Sequence, residues 1–182
     1  MFLGFQLPLM QQLSGTNMIV TEIGSIVGQY DSGLALYAPL IANVVQVIAT
    51  GFSVLALSYY GRRTLILFGN FGLAFVDIVI AVMFLLLDLY EWKPAVYIAL
   101  VFIMVFMIIY GVTIGPTVWL YVPEIIPAKF VPTATCMNWI GCSFSILVTP
   151  QIIDATHSSY PVFFMFGAVT LVFGFINYFL VI

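Results

Sequence analysis

Uncharged polar side chains crowd the first 28 residues of an otherwise apolar chain. They are mostly amides and hydroxyls, with one acid: Gln6, Gln11, Gln12, Ser14, Thr16, Asn17, Thr21 and Glu22. On a helix, Gln12, Thr16 and Glu22 fall near one another. Gln11 and Asn17 flank that stripe. A helix face this polar does not face lipid. The number of polar side chains on it favours a polar cavity over hydrogen bonds that only join helices.

The rest of the chain offers little catalytic chemistry. It contains no nucleophile–base pair and no phosphate-binding loop, so the sequence does not indicate an enzyme. We expect no metal and no cofactor, because no metal-ligand spacing is present. Four basic and seven acidic residues give a formal net charge of −3, which argues against a nucleic-acid partner.

The composition is that of a membrane protein. Hydrophobic residues make up 64% of the chain and charged residues 6%, whereas soluble chains carry roughly 25% charged residues. The apolar runs can cross a bilayer, and they are continuous rather than alternating, which excludes a β-barrel. The sequence therefore predicts an all-α polytopic membrane protein. We expect one six-helix bundle in a lipid bilayer, with spans at about 2–28, 34–57, 64–87, 94–124, 131–153 and 160–182.

Short polar stretches between the runs set the predicted topology. The second and fourth loops carry Arg62, Arg63 and Lys129, and cytoplasmic loops are enriched in such residues. The odd-numbered loops, which include Tyr30, carry one basic residue among several acids: Asp31, Asp88, Glu91, Lys93 and Asp154. We therefore expect the even loops and both termini on the cytoplasmic side, or on the matrix side if the membrane is mitochondrial.

Helix-breaking residues interrupt the first and fourth runs. Gly15 follows a serine in the middle of the first run, and Pro116 lies between Gly111, Gly115 and Pro123 in the fourth. Proline lacks an amide hydrogen and crowds the carbonyl four residues before it, so the helix opens there. These runs correspond if the bundle is a 3+3 inverted repeat. Paired interruptions of that kind point to a transport site near mid-membrane.

Two acids lie inside predicted spans. Asp77 is in the middle of the third span, and Glu22 is late in the first. A carboxyl group within the membrane is a functional candidate by default. Proton coupling is one interpretation. A contact with a partner subunit, or a protonated acid hydrogen-bonded inside the bundle, is the other.

Four motifs in register resemble the second half of one membrane-protein family. Residues 11–17, Gln-Gln-Leu-Ser-Gly-Thr-Asn, are similar to the signature that opens the seventh helix of sugar porters, the hexose-facilitator branch of the major facilitator superfamily. Residues 61–65 resemble the Gly-Arg-Arg loop of that family. Residues 115–127 resemble its tenth helix and the following loop, and Asn138-Trp139 resembles a pair in its eleventh helix.

The resemblance implies a sugar site and a charged cluster. By motif, Gln11, Gln12 and Asn17 would bond sugar hydroxyls, Trp119 would flank the ring, and Asn138 would add a polar contact. Gln46 stands where the family usually has Asn. In the family, charges that include the counterparts of Arg62, Arg63 and Glu124 form a cytoplasmic gating cluster. Carboxamides and an indole suit a neutral sugar, because they match its hydroxyls and apolar ring face without a charge to desolvate.

The chain also departs from the family pattern. Ser58 and Tyr59 occupy positions where the family has an acid and an Arg, and Val131 replaces an expected Arg. Glu22 lies in a Thr-Glu pair that replaces a gating pair of tyrosines, Gly111 replaces a glutamate, and the family's C-terminal tail motif is missing. The chain therefore matches the uncharged polar residues of the family motifs better than it matches their charged residues.

Three interpretations of a half-length transporter remain open at this point. Alternating access requires one bundle to rock against another, so this chain could pair with a second six-helix bundle to move a hexose. It could instead be a transport-inactive relic that serves as a structural subunit of a larger membrane complex, for example in a mitochondrial inner membrane. It could also be a fragment of a longer transporter.

Overall fold

The computed structural model describes residues 1–28, 32–92 and 94–181, and the described chain is helical. The helices are α1 (Phe2–Gln12), α2 (Thr16–Gly28), α3 (Leu34–Tyr59), α4 (Arg62–Tyr90), α5 (Pro94–Val112), α6 (Ile114–Ile125), α7 (Val131–Thr156) and α8 (Tyr160–Leu180). A single 3₁₀ turn, Ala128–Phe130, precedes α7. Tyr30, Asp31 and Lys93, which we assigned to loops, lie outside the described residues, as does Ile182.

Among the residues that the structure describes, five helical segments are long and apolar enough to cross a membrane. They are Leu34–Tyr59, Arg62–Tyr90, Pro94–Ile125, Ala128–Thr156 and Tyr160–Leu180. This confirms the all-helical membrane class. The first predicted span behaves differently, because α1 and α2 have only 11 and 13 residues, and a single crossing needs about 20. A sixth crossing by α1 and α2 together, and the 3+3 repeat, stay predictions.

The loop between α3 and α4 is shorter than the sequence suggested. Arg62 and Arg63 form the first turn of α4 rather than the loop, and α3 continues to Tyr59. Gly61 turns the chain with an extended ψ of 155°. Both arginines are good helix formers, so nothing delays the start of the helix. The two charges are therefore held at the end of a rigid element.

The expected helix breaks lie at residues 13–15 and at Thr113. Gly15 has a φ of +88°, a conformation that favours glycine, and a β-carbon there would lie 3.2 Å from Cβ of Phe166. Thr113, with φ −111° and ψ −88°, separates α5 from α6. This break lies three residues before Pro116, where the crowded carbonyl of Val112 ends the regular ladder.

The helices form two main packing groups. In one group, α4 runs along α8 and α5, with the rings of Phe84 and Phe163 stacked at 5.5 Å between centroids. In the other group, α1 lies along α7 and α6, while α3 packs on α5 and α2. Helix α3 buries only four of its residues: Ala38, Ala42, Ala49 and Ser53. Most of its apolar surface therefore faces outward.

Candidate functional site

The end of α1 carries the central polar side chain of the bundle. The amide nitrogen of Gln11 donates to the hydroxyl of Tyr110 at 3.2 Å and to the carbonyl oxygen of Gly115 at 3.1 Å. Tyr110 lies just before the break at Thr113, and Gly115 lies just after it. One side chain at the α1–α2 break thus contacts both sides of the α5–α6 break.

A second set of bonds joins α1, α2 and α7. The amide nitrogen of Gln12 donates to Oδ1 of Asn138 at 2.9 Å, and the amide nitrogen of Asn17 donates to Oε1 of Gln12. The nitrogen of Asn138 donates in turn to the carbonyl of Pro8 at 3.1 Å and to Oε1 of Gln11 at 3.4 Å. Four of the predicted site residues therefore form one hydrogen-bonded amide network.

Close helix packing makes these bonds possible. Gly141 brings α7 against α1, because a β-carbon there would lie 3.1 Å from Cβ of Gln12 and from the backbone oxygen of Leu9. One turn further along α7, the hydroxyl of Ser145 donates to the carbonyl of Gln12 at 2.9 Å. That carbonyl ends α1, where backbone acceptors lack partners within the helix.

The network has an inner and an outer layer. Gln11 and Asn138 are each only 3% exposed, whereas Gln12 and Asn17 are half-buried. A carboxamide has two donors and an acceptor with two lone pairs, so the outer pair keeps capacity beyond the bonds described. Such spare donors and lone pairs suit an uncharged partner that carries hydroxyl groups.

Gln46 and Trp119 stand apart from the amide network. Gln46 is half-buried on α3, and its backbone lies where α3 packs against α5, since a β-carbon on Gly111 would lie 3.0 Å from the carbonyl of Gln46. Trp119 projects from α6 with 39% of its surface exposed. The described contacts do not join either residue to Gln12 or Asn17.

Sequence reasoning missed two members of the network, Tyr110 and Ser145. A tyrosine deep in an apolar span needs a partner for its hydroxyl, and Tyr110 directly precedes the Gly111–Pro116 break, so a signal for it existed. Ser145 is 0% exposed, yet serine is ordinary in membrane helices and nothing in the local sequence marks it. Its role depends on which turn of α7 faces α1.

The charged residues pair selectively at the start of α4. Arg62 forms an ion pair with Glu124 at 2.9 Å, with the two side chains 45% and 46% exposed. Arg63 does not share this acid, and its guanidinium donates to the carbonyl of Tyr178 on α8 at 3.2 Å. A half-exposed pair of this kind contributes about 1 kcal/mol or less.

The two interior acids lie in different environments. The carboxylate of Glu22 accepts a bond from the hydroxyl of Ser25 at 2.8 Å on half-buried α2. Asp77 is 1% exposed, and neither of its carboxyl oxygens has a hydrogen-bond partner among the described residues. Asp77 packs against α8, where a β-carbon on Gly167 would lie 3.1 Å from Cβ of Asp77.

Comparison with known proteins gives a consistent result. The model of the family described as sugar (and other) transporter matches residues 1–182. Facilitated glucose transporter member 2 of solute carrier family 2 from Mus musculus is 33% identical over 177 residues, which cover 95% of this chain and 33% of that protein. Member 3 from Bos taurus is 31% identical over 182 residues, covering 97% and 36% respectively.

A bacterial protein is also similar. The putative metabolite transport protein YwtG of Bacillus subtilis is 27% identical over 177 residues, which cover 91% of this chain and 37% of that protein. The chain thus spans about a third of the length of the curated relatives it matches.

Proposed function

Because the chain belongs to the sugar transporter family, we propose that it binds a neutral hexose at the amide network between α1, α2 and α7. It is an integral, multi-pass membrane protein by its apolar helices and its relatives. Several relatives are named as facilitated glucose transporters, so D-glucose is the first hexose to test. The proposed role is one half of a sugar porter.

The layered amide network is the observation that carries this proposal. Gln12 and Asn17, the half-buried pair, would bond the sugar hydroxyls directly, with Gln11 and Asn138 holding them from the buried side. A neutral sugar both donates and accepts hydrogen bonds, as carboxamides do. Trp119 would close over the apolar ring face, and Gln46 would approach from α3, as the family pattern implies.

Transport by this site would need a second six-helix bundle. Alternating access rocks one bundle against another around a midplane site. Helix α3 exposes large apolar side chains along most of its length, among them Leu36, Leu40, Val47, Phe52 and Val54. We propose that this surface and the open side of the amide network face the second bundle.

The charged residues would act at the edges of that assembly. Arg62 and Glu124, already paired at 2.9 Å, would supply what remains of the gating cluster, with Arg63 beside them. Glu22 is the interior acid placed on the helix pair that carries the site, so we propose it for proton coupling or for contact with the second bundle. Asp77 lies against α8 instead. By the positive-inside rule, we propose that this end of the bundle faces the cytoplasmic or matrix side.

Binding of radiolabelled D-glucose to the purified chain tests the site. We expect Gln12→Ala and Asn17→Ala each to weaken binding by about tenfold, since a lost polar partner costs about 1–3 kcal/mol. Trp119→Ala should also weaken it, because the indole contact with the apolar ring face would be lost. Gln151→Ala and Trp139→Ala are matched controls, because both side chains are exposed elsewhere on α7. Binding that all three site variants leave intact would rule out this site.

Reconstitution tests the need for a partner. Proteoliposomes containing the chain alone should not accumulate D-glucose, while those that also contain a separately expressed first half of a facilitated glucose transporter should. Uptake by the chain alone would overturn the half-transporter proposal. Glucose binding without uptake in either preparation would favour the structural-subunit role.

A further inference from the structure

Two neighbouring grooves, one along α4 and one between α4, the end of α3 and the α5–α6 break, are not lined by residues of the amide network. They flank Phe68, which is 62% exposed, near the helix end that carries both arginines. We propose that this surface binds one anionic phospholipid, with its phosphate at Arg63 and one acyl chain in each groove beside Phe68.

The two grooves meet at the same two residues. One groove, of about 500 Å³, is lined by Arg63, Thr64, Leu67, Phe68, Phe71 and Gly72. The other, of about 290 Å³, is lined by Ala56, Tyr60, Thr64, Leu65, Phe68, Val112 and Thr113. Thr64 and Phe68 belong to both. The two grooves therefore adjoin at Phe68 and, one turn closer to Arg63, at Thr64, an arrangement that suits the two acyl chains of a diacyl lipid.

The polar end of the grooves suits a phosphate group. Arg62 is neutralised by Glu124, whereas Arg63 has no carboxylate within ion-pair distance in the part of the chain that the structure describes. The guanidinium of Arg63 makes one bond, to the carbonyl of Tyr178, and keeps most of its five donors. Guanidinium–phosphate pairs are charge-assisted and often bidentate. The exposed hydroxyl groups of Tyr60 and Thr64 lie at the same end.

The position of Arg63 also matches the membrane. Basic residues mark the cytoplasmic side, where anionic lipids accumulate, and basic pockets between helices on that side bind anionic head groups. Because apolar walls extend below the charge, the site would recognise an amphipathic molecule rather than a free anion. Helix α4 packs chiefly on α8 and α5, so the lipid would sit apart from the amide network on α1 and α7.

Native mass spectrometry of the purified chain with phosphatidylglycerol or phosphatidylcholine tests the proposal. We expect retained phosphatidylglycerol and little phosphatidylcholine. Arg63→Gln should weaken phosphatidylglycerol binding by about tenfold, because a charge-assisted bond contributes about 1.5–3 kcal/mol. Lys129→Gln is the matched control, since it removes one positive charge predicted to lie on the same side of the membrane. Equal losses from the two variants would reduce the effect to bulk charge and overturn the site.

Filling the groove gives an independent test. A β-carbon on Gly72 would meet Ile109 only at ordinary contact distances of 3.4 and 3.5 Å, so Gly72→Leu should fold and occupy the larger groove. It should weaken lipid binding severalfold, while Gly51→Leu, placed where a β-carbon meets nothing within 4 Å, should not. If Gly72→Leu lowers the melting temperature, Phe68→Ala serves as the test variant instead, because Phe68 is exposed. We expect the same severalfold loss of lipid binding.

Competition separates the lipid from its head group. Glycerophosphate, which has the phosphate without acyl chains, should not displace phosphatidylglycerol at millimolar concentrations. Displacement would show that the site binds phosphate alone and would overturn the assignment of the two grooves to acyl chains.

Discussion

Two helix–helix interfaces of this bundle, the α1–α7 seam and the α4–α8 seam, both bury amide side chains. They differ in whether those side chains have hydrogen-bond partners. At the α1–α7 seam, Asn138 is bonded to two glutamines and a backbone carbonyl. At the α4–α8 seam, the side-chain nitrogen and oxygen of Asn70 are both buried without a partner among the described residues. Both asparagines are 3% exposed or less. The difference therefore lies in the partners rather than in burial.

Close packing is common to both seams. A β-carbon on Gly174 would lie 3.4 Å from Cβ of Asn70, and one on Gly167 would lie 3.1 Å from Cβ of Asp77. These pairs are seven residues apart on each helix, as expected for antiparallel helices in one register. Glycines bring the helices of both seams together, so proximity alone does not satisfy the buried amides.

Side-chain partners account for the contrast. Asn138 meets the side chains of Gln11 and Gln12 and the carbonyl of Pro8, all on α1. The break after Gln12 adds backbone acceptors to this seam, because the carbonyls of Gln11 and Gln12 accept from Ser14 and Ser145. Helices α4 and α8 run unbroken past their seam, and no described group bonds the amide of Asn70.

The largest effect should come from forcing the α1–α7 seam apart. Gly141→Leu would place atoms about 3.1 Å from Gln12 and the backbone of Leu9 before the side chain is complete. Overpacking of this kind costs about 1–3 kcal/mol or more. We expect a clear fall in melting temperature in detergent and loss of D-glucose binding. Gly51→Leu, in open space, is the control. If the two variants melt alike, the seam is not closely packed.

Replacing the buried asparagine by leucine should change the stability of the bundle in opposite directions at the two seams. Asn138→Leu removes three bonds and leaves Gln12 short of a partner, which we expect to destabilise the bundle by about 2 kcal/mol. Asn70→Leu removes an unpartnered amide, which we expect to stabilise it by about 1 kcal/mol. Chemical or thermal unfolding in detergent measures both. Destabilisation of similar size at both sites would show that Asn70 has partners after all and would end the contrast.

The smallest effect comes from a pair of buried threonines. The hydroxyl of Thr170 on α8 has no partner among the described residues, while that of Thr149 on α7 donates to the carbonyl of Ser145 at 2.8 Å. Both residues are 0% exposed. We expect Thr170→Val to stabilise by up to about 1 kcal/mol and Thr149→Val to be neutral or slightly destabilising. A lower melting temperature for Thr170→Val than for Thr149→Val would contradict this.

Much of the fold follows from the sequence for simple reasons. Charged residues are so rare that they mark most loops, and Gly15 marks a break through its positive φ. Pro116 follows the break at Thr113, although Pro8, Pro39, Pro123 and Pro150 lie inside helices. The sixth crossing stays a prediction, because it depends on helix length. The first run looks like one continuous span in composition, yet its break leaves two helices that are each too short to cross the membrane alone.

Four residues of the amide network could be singled out from the sequence, but the bonds between them could not. Gln11, Gln12, Asn17 and Asn138 stand out by type and by motif. That Gln11 reaches Tyr110, 99 residues away, depends on the relative rotation of α1 and α5, which local sequence does not encode. The choice of Arg62 over Arg63 as the partner of Glu124 depends in the same way on where α6 ends relative to α4.

The bonds from Gln11 have a mechanical consequence. The amide of Gln11, next to the helix break that ends at Gly15, bonds residues on both sides of the helix break at Thr113. If either break bends, it must rupture those bonds or pull the other along. Because the Gln11 side chain connects the two helix breaks, they would move together rather than independently. Gln11 would then couple the movement of the two broken helices.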